Sequence, residues 1–175
     1  EVLYPGCSIH ISPAFVFPYV VFVDQDPAAT EFFFDQKALI DLIKQFRKYR
    51  RNPYIQFIPQ DFTKPLPLRK NQFDLLLSLY TGGVSKACKS HLKTGGYLVT
   101  NNHHNDAIEA YHDNELTLIA AIEKKKGKYC SIDIQPDELL RTRQTTTKSK
   151  RYLRKTNSGV EYIENEVYYI FQRSW

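Results

Sequence analysis

The sequence has no methionine and no long apolar segment. None of its apolar runs approaches the roughly 18 residues that a membrane-spanning helix needs, and no signal peptide opens the chain. Its cysteines, Cys7, Cys88 and Cys130, are widely separated and show no C-x-x-C spacing, which argues against a disulfide framework and a structural zinc site. We therefore predict reduced thiols in a cytoplasmic protein that has no membrane partner.

The length of 175 residues predicts a single domain with a sizeable core, spanning residues 1–175. The chain lacks methionine and begins inside an apolar run. We therefore expect either that its start is engineered or that a native N-terminal segment precedes it and covers one edge of the fold.

The net charge of +5 results from 24 basic and 19 acidic residues, and the basic residues are concentrated in two segments. One lies at residues 44–51 and the other at residues 124–155. Basic clusters can bind phosphate groups, so both are candidate surfaces for a nucleic-acid or protein partner. The alternative is a solvated helix end and a lysine-rich loop.

Short apolar runs alternate with longer amphipathic segments along the chain. The runs predict strands at residues 2–4, 19–23, 54–58, 73–80, 97–100, 129–134 and 167–171. Helical spacing predicts helices at residues 28–51, 84–92 and 106–126, with glycine turns at 81–83 and 94–96. The alternation predicts an α/β fold with a Rossmann-like, doubly wound, mostly parallel sheet. The last two strands predict an antiparallel edge hairpin at the C-terminus.

A polar stretch at residues 135–165 predicts a loop and hairpin insertion before the last strand. Residues 145–150 are expected to form a mobile loop. Asn157, Ser158 and Gly159 are typical of a hairpin turn, here between residues 151–153 and 160–163.

The first thirty residues give the strongest indication of a ligand site. The first apolar run breaks at Gly6, and the second ends on Asp24 and Gln25. A buried strand, a glycine turn and a second strand ending in a carboxylate is the layout of a nucleotide-type site in a doubly wound sheet. A Gly-rich loop would carry several glycines at this place, whereas this loop carries one.

Five segments follow one another along the chain, and their order indicates a family: VLYPGCSIH (residues 2–10), VVFVD (20–24), IPQDF (58–62), FDLLLSLY (73–80) and LKTGGYLV (92–99). They resemble the successive motifs of class I S-adenosylmethionine-dependent methyltransferases, and the resemblance covers roughly residues 1–100. It implies that fold, S-adenosylmethionine as cofactor, and methyl transfer to an acceptor that the sequence does not specify. The alternative is a catalytically inactive protein of the same fold that binds a protein or nucleic-acid partner.

The resemblance also implies a set of cofactor-binding residues: Tyr4, Gly6, Ser8, Asp24, Gln25, Asp61, Phe62 and Ser78. In that set Gly6 lets the backbone approach the cofactor and Asp24 accepts hydrogen bonds from the ribose hydroxyls. Asp61 accepts from the adenine amine while Phe62 lies against the adenine face.

Several of these positions also have a purely structural interpretation. Gly6 fits a plain strand-to-helix turn, and Asp24 or Asp26 fits a helix N-cap. Asp61 fits a loop acid that caps local amides. Asp74, at the start of the fourth strand, is expected to serve the structure.

The first motif departs from the family pattern at three positions. An acid usually stands at the position of Tyr4, and glycines stand at those of Ser8 and His10. Tyr4 removes a carboxylate that would help to bind the cofactor's ammonium, and the other two add side chains where the backbone should approach the ligand. Whether the pocket still admits the cofactor therefore depends on these three residues.

The substrate end carries less information. Ser78 and Tyr80 lie on the ligand-facing rim of the sheet, and the latter also fits a packed aromatic. The fourth strand lacks the Asn/Asp-Pro-Pro-aromatic tetrad of enzymes that modify base amines, and no cysteine follows a proline as in cytosine-C5 enzymes. His103, or otherwise His104, is a candidate base near neutral pH, with a polar helix-entry loop as the alternative. No third ligand stands at a spacing suited to metal binding.

Overall fold

The computed structural model describes residues 1–125, 127–133, 153–156, 159–162 and 167–174. The strands are β1 (Val2–Pro5), β2 (Tyr19–Val23), β3 (Tyr54–Ile58), β4 (Phe73–Ser78), β5 (Leu92–Thr100), β6 (Leu116–Lys125), β7 (Lys128–Ile132), β8 (Leu153–Thr156), β9 (Gly159–Tyr162) and β10 (Val167–Arg173). The α-helices are α1 (Pro13–Val16), α2 (Pro27–Phe34), α3 (Gln36–Phe46), α4 (Val84–Cys88) and α5 (Asp106–Tyr111). No helix among the described residues is long and apolar enough to cross a membrane.

The main sheet has the strand order β3-β2-β1-β4-β5-β10-β6-β7. The first five strands in that order are parallel. Strand β10 runs antiparallel to β5 and β6, between which it lies, and β7 closes the edge as an antiparallel hairpin with β6. This confirms the predicted α/β, doubly wound, mostly parallel sheet with antiparallel strands at its C-terminal end. The edge hairpin is formed by β6 and β7, however, and not by the last two predicted strands, because β10 lies between β5 and β6.

Helices bury both faces of β1 and β2, which explains the continuous apolar sequences of these two strands. On one face, Leu3 and Leu76 pack in the core formed with α4 and α5. On the other face, Tyr4 and Phe22 pack with residues of α1, α2 and α3, including Phe33. All four residues of β1 are buried. The strand that leads into the candidate site is thus held on both sides.

The single helix predicted at residues 28–51 is wrong, because the structure has two helices there. Asp35 separates α2 from α3, and its carboxylate caps the second helix by accepting from the Ala38 amide at 3.1 Å. Arg47 is extended and ends α3. The short helix α1 has no counterpart in the predictions, because its 4 residues are too few for a periodic pattern.

The predicted helix at residues 106–126 is wrong over most of its length, since α5 ends at Tyr111 and β6 begins at Leu116. Asp113 makes the turn between them by accepting from the Glu115 amide at 2.9 Å. From Leu116 onward the apolar residues also fit the strand period. The pairing of β6 with β10 therefore decides the outcome.

The glycine turn predicted at residues 94–96 lies inside β5 instead. Gly95 adopts φ +79°, and the register of β5 against β4 shifts over this segment, as in a β-bulge. The predicted helix at residues 84–92 also ends early, at Cys88, and a 3₁₀ turn follows at Lys89–His91. Strand β4 ends at Ser78 rather than at residue 80.

The predicted hairpin before the last strand agrees with an antiparallel pair, β8 and β9, in which Thr156 opposes Gly159. The turn residues Asn157 and Ser158 lie outside the described residues, as does the loop predicted at residues 145–150.

Four charged residues, Lys89, Asp113, Glu115 and Arg173, form a cluster at the edge where β5 begins, called the amino-edge cluster below. The Arg173 guanidinium donates to the Leu92 and Lys89 carbonyls and pairs with Glu115 at 3.2 Å. The Lys89 ammonium pairs with Asp113 and with Glu115 at 2.5 and 2.9 Å. The cluster thereby fastens the end of β10 to the start of β5 and to the turn before β6.

Candidate functional site

The loops that follow β1, β4 and β5 meet at the carboxyl edge of the parallel strands. Within the sheet, β1 has β2 as its neighbour on one side and β4 as its neighbour on the other. Ligands of doubly wound sheets bind in the crevice at such a switch point. Positive φ angles concentrate here as well: Gly6 and Ser8 follow β1, Tyr80 and Gly83 follow β4, and Asn102, His104 and Asn105 follow β5.

Gly6 is positioned by backbone geometry and by a close neighbour from the loop after β4. Its φ is +64°, and its amide donates to the Val23 carbonyl at 2.8 Å. A Cβ atom built here would lie 2.8–2.9 Å from three side-chain atoms of Thr81. The glycine therefore lets the loop after β1 pack against the loop after β4.

Asp24 joins the end of β2 to the loop after β1. One of its carboxylate oxygens accepts from the Ser8 amide at 2.7 Å and the other from the Asp26 amide at 2.9 Å. The N-cap of α2 is Asp26, which accepts from the Ala28 amide at 2.9 Å. The two acids thus have separate roles, and Asp24 faces the glycine loop.

Tyr4 and His10 form a pair across the same loop. The Tyr4 hydroxyl and His10 Nδ1 share a hydrogen bond of 2.9 Å, and the rings meet edge to face. Tyr4 is 1% exposed and its ring also contacts Phe22. Although His10 is exposed as a whole, burial of its ring lowers its pKa, so the imidazole is neutral at pH 7.

Cys7 lies in the same loop and is buried. Burial raises the pKa of its thiol, and the negative charge of Asp24 raises it further. A protonated, buried thiol is a poor nucleophile. Cys7 therefore contributes packing to the loop.

Asp61 and Phe62 lie beyond the end of β3. One oxygen of Asp61 accepts from both the amide and the hydroxyl of Thr63, at 2.9 and 2.7 Å, and these bonds lower the pKa of the carboxyl group. Phe62 packs against the core on the α4 and α5 face. Asp61 thus caps its own loop, and its second carboxylate oxygen accepts from no side chain or amide among the described residues. Gln25 is exposed just after the end of β2.

The loops after β4 and β5 are joined through Asn101. Its side-chain oxygen accepts from the amides of Tyr80 and His103, at 3.1 and 3.3 Å. The rings of Tyr80 and His103 meet edge to face with centroids 5.8 Å apart. His104 packs closely against Gly82, because a Cβ atom added to this glycine would lie 2.5 Å from the Cβ atom of His104. Both histidines are exposed at the edge of the site.

Ser78 ends β4 with a fully buried side chain whose hydroxyl oxygen has no hydrogen-bond partner among the described residues. Asp74, at the other end of the strand, is exposed and pairs with Lys93 at 2.6 Å. That hydrogen bond is the main cause of its lowered pKa. Asp74 therefore links the starts of β4 and β5, far from the carboxyl edge.

A cavity of about 1020 Å³ opens at the switch point. Tyr4 of β1 lines it together with Gly6, Ser8 and His10 of the loop that follows, and the loop after β4 contributes Tyr80. Three members of the cofactor-binding set thus line the cavity, and Asp24 is hydrogen-bonded to one of them. Gln25, Asp61, Phe62 and Ser78 are not among its lining residues.

Sequence reasoning missed two features of this site. It treated His10 as an obstruction, whereas the structure gives it Tyr4 as a partner and a place in the cavity wall. It also assigned no role to Asn101, although this residue stands directly after β5, where substrate groups can lie. Among the described residues, no group of three His, Cys, Asp or Glu side chains could hold a metal ion.

The basic segment at residues 44–51 covers the end of α3 and the turns that follow. The Arg47 guanidinium donates to the Arg51 carbonyl at 2.8 Å. The second basic segment, at residues 124–155, lies largely outside the described residues.

No protein-family model matches the chain, and no curated protein matches it in sequence. Similar solved structures include a Thermoplasma acidophilum protein assigned as a methyltransferase, 7% identical with a TM-score of 0.58, for which the match covers 99% of this chain and 68% of that one. Geranyl diphosphate C-methyltransferase from Streptomyces coelicolor A3(2), in complex with Mg²⁺, geranyl diphosphate and S-adenosyl-L-homocysteine, is 16% identical with a TM-score of 0.54, covering 98% and 72%. The [4+2]-cyclase SpnF is 10% identical with a TM-score of 0.55, covering 99% and 74%.

These likenesses confirm the fold that the five motifs implied. The chain has the fold of S-adenosylmethionine-dependent methyltransferases. Because a cyclase shares it, the fold does not specify the reaction.

Proposed function

We propose that this chain binds S-adenosylmethionine at the carboxyl edge of β1 and β2 and transfers its methyl group to an acceptor in the adjoining cavity. The observation that carries the proposal is the position of that cavity. It opens between the loop after β1 and the end of β4, which is the switch point of the sheet. A methyl transfer needs alignment of the two reactants more than a particular catalytic side chain.

The residues at the crevice fit the cofactor. Each oxygen of Asp24 holds one backbone amide, and a carboxylate offers about four acceptor positions, so two positions remain for the ribose hydroxyls. Asp24 is only partly buried and can be reached from solvent. The free oxygen of Asp61 would accept from the adenine amine. Ser8 and the Tyr4 hydroxyl, at the cavity wall, would face the amino-acid portion.

When bound, the cofactor supplies a methyl group on a positively charged sulfur. The chain's own residues orient the acceptor and receive its proton. His10 supports this role because it lines the cavity, its Nδ1 is held by the Tyr4 hydroxyl, and its lowered pKa favours the neutral imidazole. His103 lies next to Tyr80 at the rim and is the second base candidate.

Replacing Asp24 by asparagine tests the proposed cofactor site. We expect S-adenosylmethionine and S-adenosylhomocysteine to bind about 10- to 100-fold more weakly to Asp24→Asn, because a hydrogen bond to a charged group contributes roughly 1.5–3 kcal/mol. Isothermal titration calorimetry measures both affinities.

Asp41→Asn is the matched control, since Asp41 is exposed on α3, away from the carboxyl edge. It should bind both ligands as the unchanged chain does. Equal affinity in all three proteins would remove Asp24 from the site. Absence of binding to the unchanged chain would refute the proposal and favour a binding protein with a methyltransferase fold.

A further inference from the structure

The cavity continues from the switch point across one face of the sheet. Its far wall consists of Val99 on β5, Ile170 and Tyr168 on β10, Ile122 on β6 and Tyr129 on β7. Val99 lies opposite Ile170, and Tyr168 lies opposite Ile122. The rings of Tyr129 and Tyr168 are 6.3 Å apart. Four neighbouring strands therefore present one continuous wall of apolar and aromatic side chains.

This wall is accessible, in contrast to the other face of the same strands. Tyr169 and Phe171 of β10 point the other way and are 4% and 0% exposed in the core with α5. Val99, Tyr168 and Ile170 are only partly buried, and Tyr129 is 63% exposed. The apolar surface is thus open to a ligand that enters the cavity.

The described part of the wall carries no charge with which to recognise a charged ligand. Among the residues that the structure describes, none of those lining the cavity is Asp, Glu, Lys or Arg. The Lys124 ammonium lies 5.9 Å from the centroid of the Tyr129 ring, as a cation–π partner outside the lining. Among the described lining residues, the polar side chains are those of tyrosines, serines, Cys7 and His10. An anionic ligand would lose its hydration here without a compensating partner.

We infer that the methyl acceptor is an uncharged aromatic small molecule that bears a hydroxyl group. This inference rests on the proposed function. The ring stacks on the tyrosine-rich wall, and the hydroxyl hydrogen-bonds at the His10 end of the cavity. In the transfer, the acceptor oxygen forms a bond to the methyl carbon as the carbon–sulfur bond breaks. The electron pair of that bond stays on sulfur, which becomes neutral. The hydroxyl proton passes to Nε2 of His10, in the tautomer whose Nδ1–H donates to the Tyr4 oxygen.

The test compares two ligands with the same ring system, uncharged 2-naphthol and negatively charged naphthalene-2-carboxylate. Their affinities for the unchanged chain are measured by calorimetry with and without S-adenosylhomocysteine, and transfer is followed with radiolabelled S-adenosylmethionine. We expect 2-naphthol to bind at least 10-fold more tightly than the carboxylate and to be the one that is methylated. Ile170→Asp should weaken 2-naphthol at least 10-fold, whereas Ile119→Asp, at a 49% exposed position outside the cavity lining, should not.

Each outcome separates this inference from the proposed function. Tight binding of S-adenosylhomocysteine with no preference for 2-naphthol would overturn the inference and leave the cofactor site standing. Binding of 2-naphthol without any binding of S-adenosylhomocysteine would refute the proposed function and the acceptor role with it. If Ile170→Asp does not fold, the two-ligand comparison on the unchanged chain still decides.

Discussion

Replacing Gly6 by alanine is expected to destabilise the chain by about 2–5 kcal/mol. A non-glycine residue at φ +64° costs roughly 1–2 kcal/mol. The new methyl group would also lie 2.8–2.9 Å from the side chain of Thr81, and such overpacking costs about 1–3 kcal/mol. Urea denaturation, followed by circular dichroism, measures the change in the free energy of unfolding.

Gly83→Ala separates the two contributions, because Gly83 has φ +74° but a Cβ atom added to it would have no neighbouring atom within 4 Å. Its free energy of unfolding should fall only by the backbone contribution, roughly 1–2 kcal/mol. Adding Thr81→Gly to Gly6→Ala should relieve the steric part and leave the backbone part in place. Equal losses for Gly6→Ala and Gly83→Ala would show that the loops after β1 and β4 do not pack as described.

Replacing Arg173 by alanine is expected to cost about 2–3 kcal/mol. The side chain is 12% exposed, and its loss leaves Glu115 without one partner and the Leu92 carbonyl without its guanidinium donor. Removing one member of a buried ion pair costs roughly 3–5 kcal/mol, and partial exposure of this cluster reduces that figure. The exposed Arg50→Ala serves as the control and should change the free energy of unfolding by less than about 0.5 kcal/mol.

The amino-edge cluster also makes the effect of Arg173→Ala depend on pH. Hydrogen bonding from Lys89 lowers the pKa of Glu115. Burial opposes ionisation of Asp113, but hydrogen bonds from Lys89 and from the Glu115 amide outweigh it and lower that pKa too. Carboxyl groups with lowered pKa values stabilise the fold above their ordinary values, here 3.8 and 4.5, and that contribution is lost as pH falls through the lowered values.

The difference between the unchanged chain and Arg173→Ala should therefore shrink as the pH falls from neutrality through the ordinary carboxyl pKa values of 3.8 and 4.5 and below them. A remainder should persist at low pH, because the bonds from Arg173 to the Leu92 and Lys89 carbonyls do not titrate. Denaturation curves at several pH values measure this. A difference that stays constant over the whole range would exclude the ion pair with Glu115 as a source of stability.

The parallel strands could be predicted from sequence because residues close together in the chain mark where each strand begins and ends. Strands β2 and β3 have the predicted boundaries. β2 is a continuous apolar run that ends before Asp24, and β3 has apolar residues on both sides of Gln56 and ends before Pro59. Strand β6 could not be assigned in this way. Its apolar residues satisfy the helical and the strand period alike, and its partner β10 is far away in the chain.

The same distinction applies to the site. Gly6 and Asp24 were recognisable because each stands at the end of an apolar run. The contact of Gly6 with Thr81 and the bridge from Asn101 to Tyr80 join segments far apart in sequence. The hydrogen bond between Tyr4 and His10 depends on the fold of the loop itself, including the positive φ of Ser8. No local pattern encodes these contacts.

The central claim is that Asp24 and the loop after β1 hold the cofactor at the crevice between β1 and β4. A crystal structure of the chain with S-adenosylhomocysteine tests it most directly. The account predicts both ribose hydroxyls within hydrogen-bond distance of the Asp24 carboxylate and the amino-acid portion beside Tyr4 and Ser8. A crevice that stays empty at saturating ligand, or a ligand bound away from Asp24, would contradict the account.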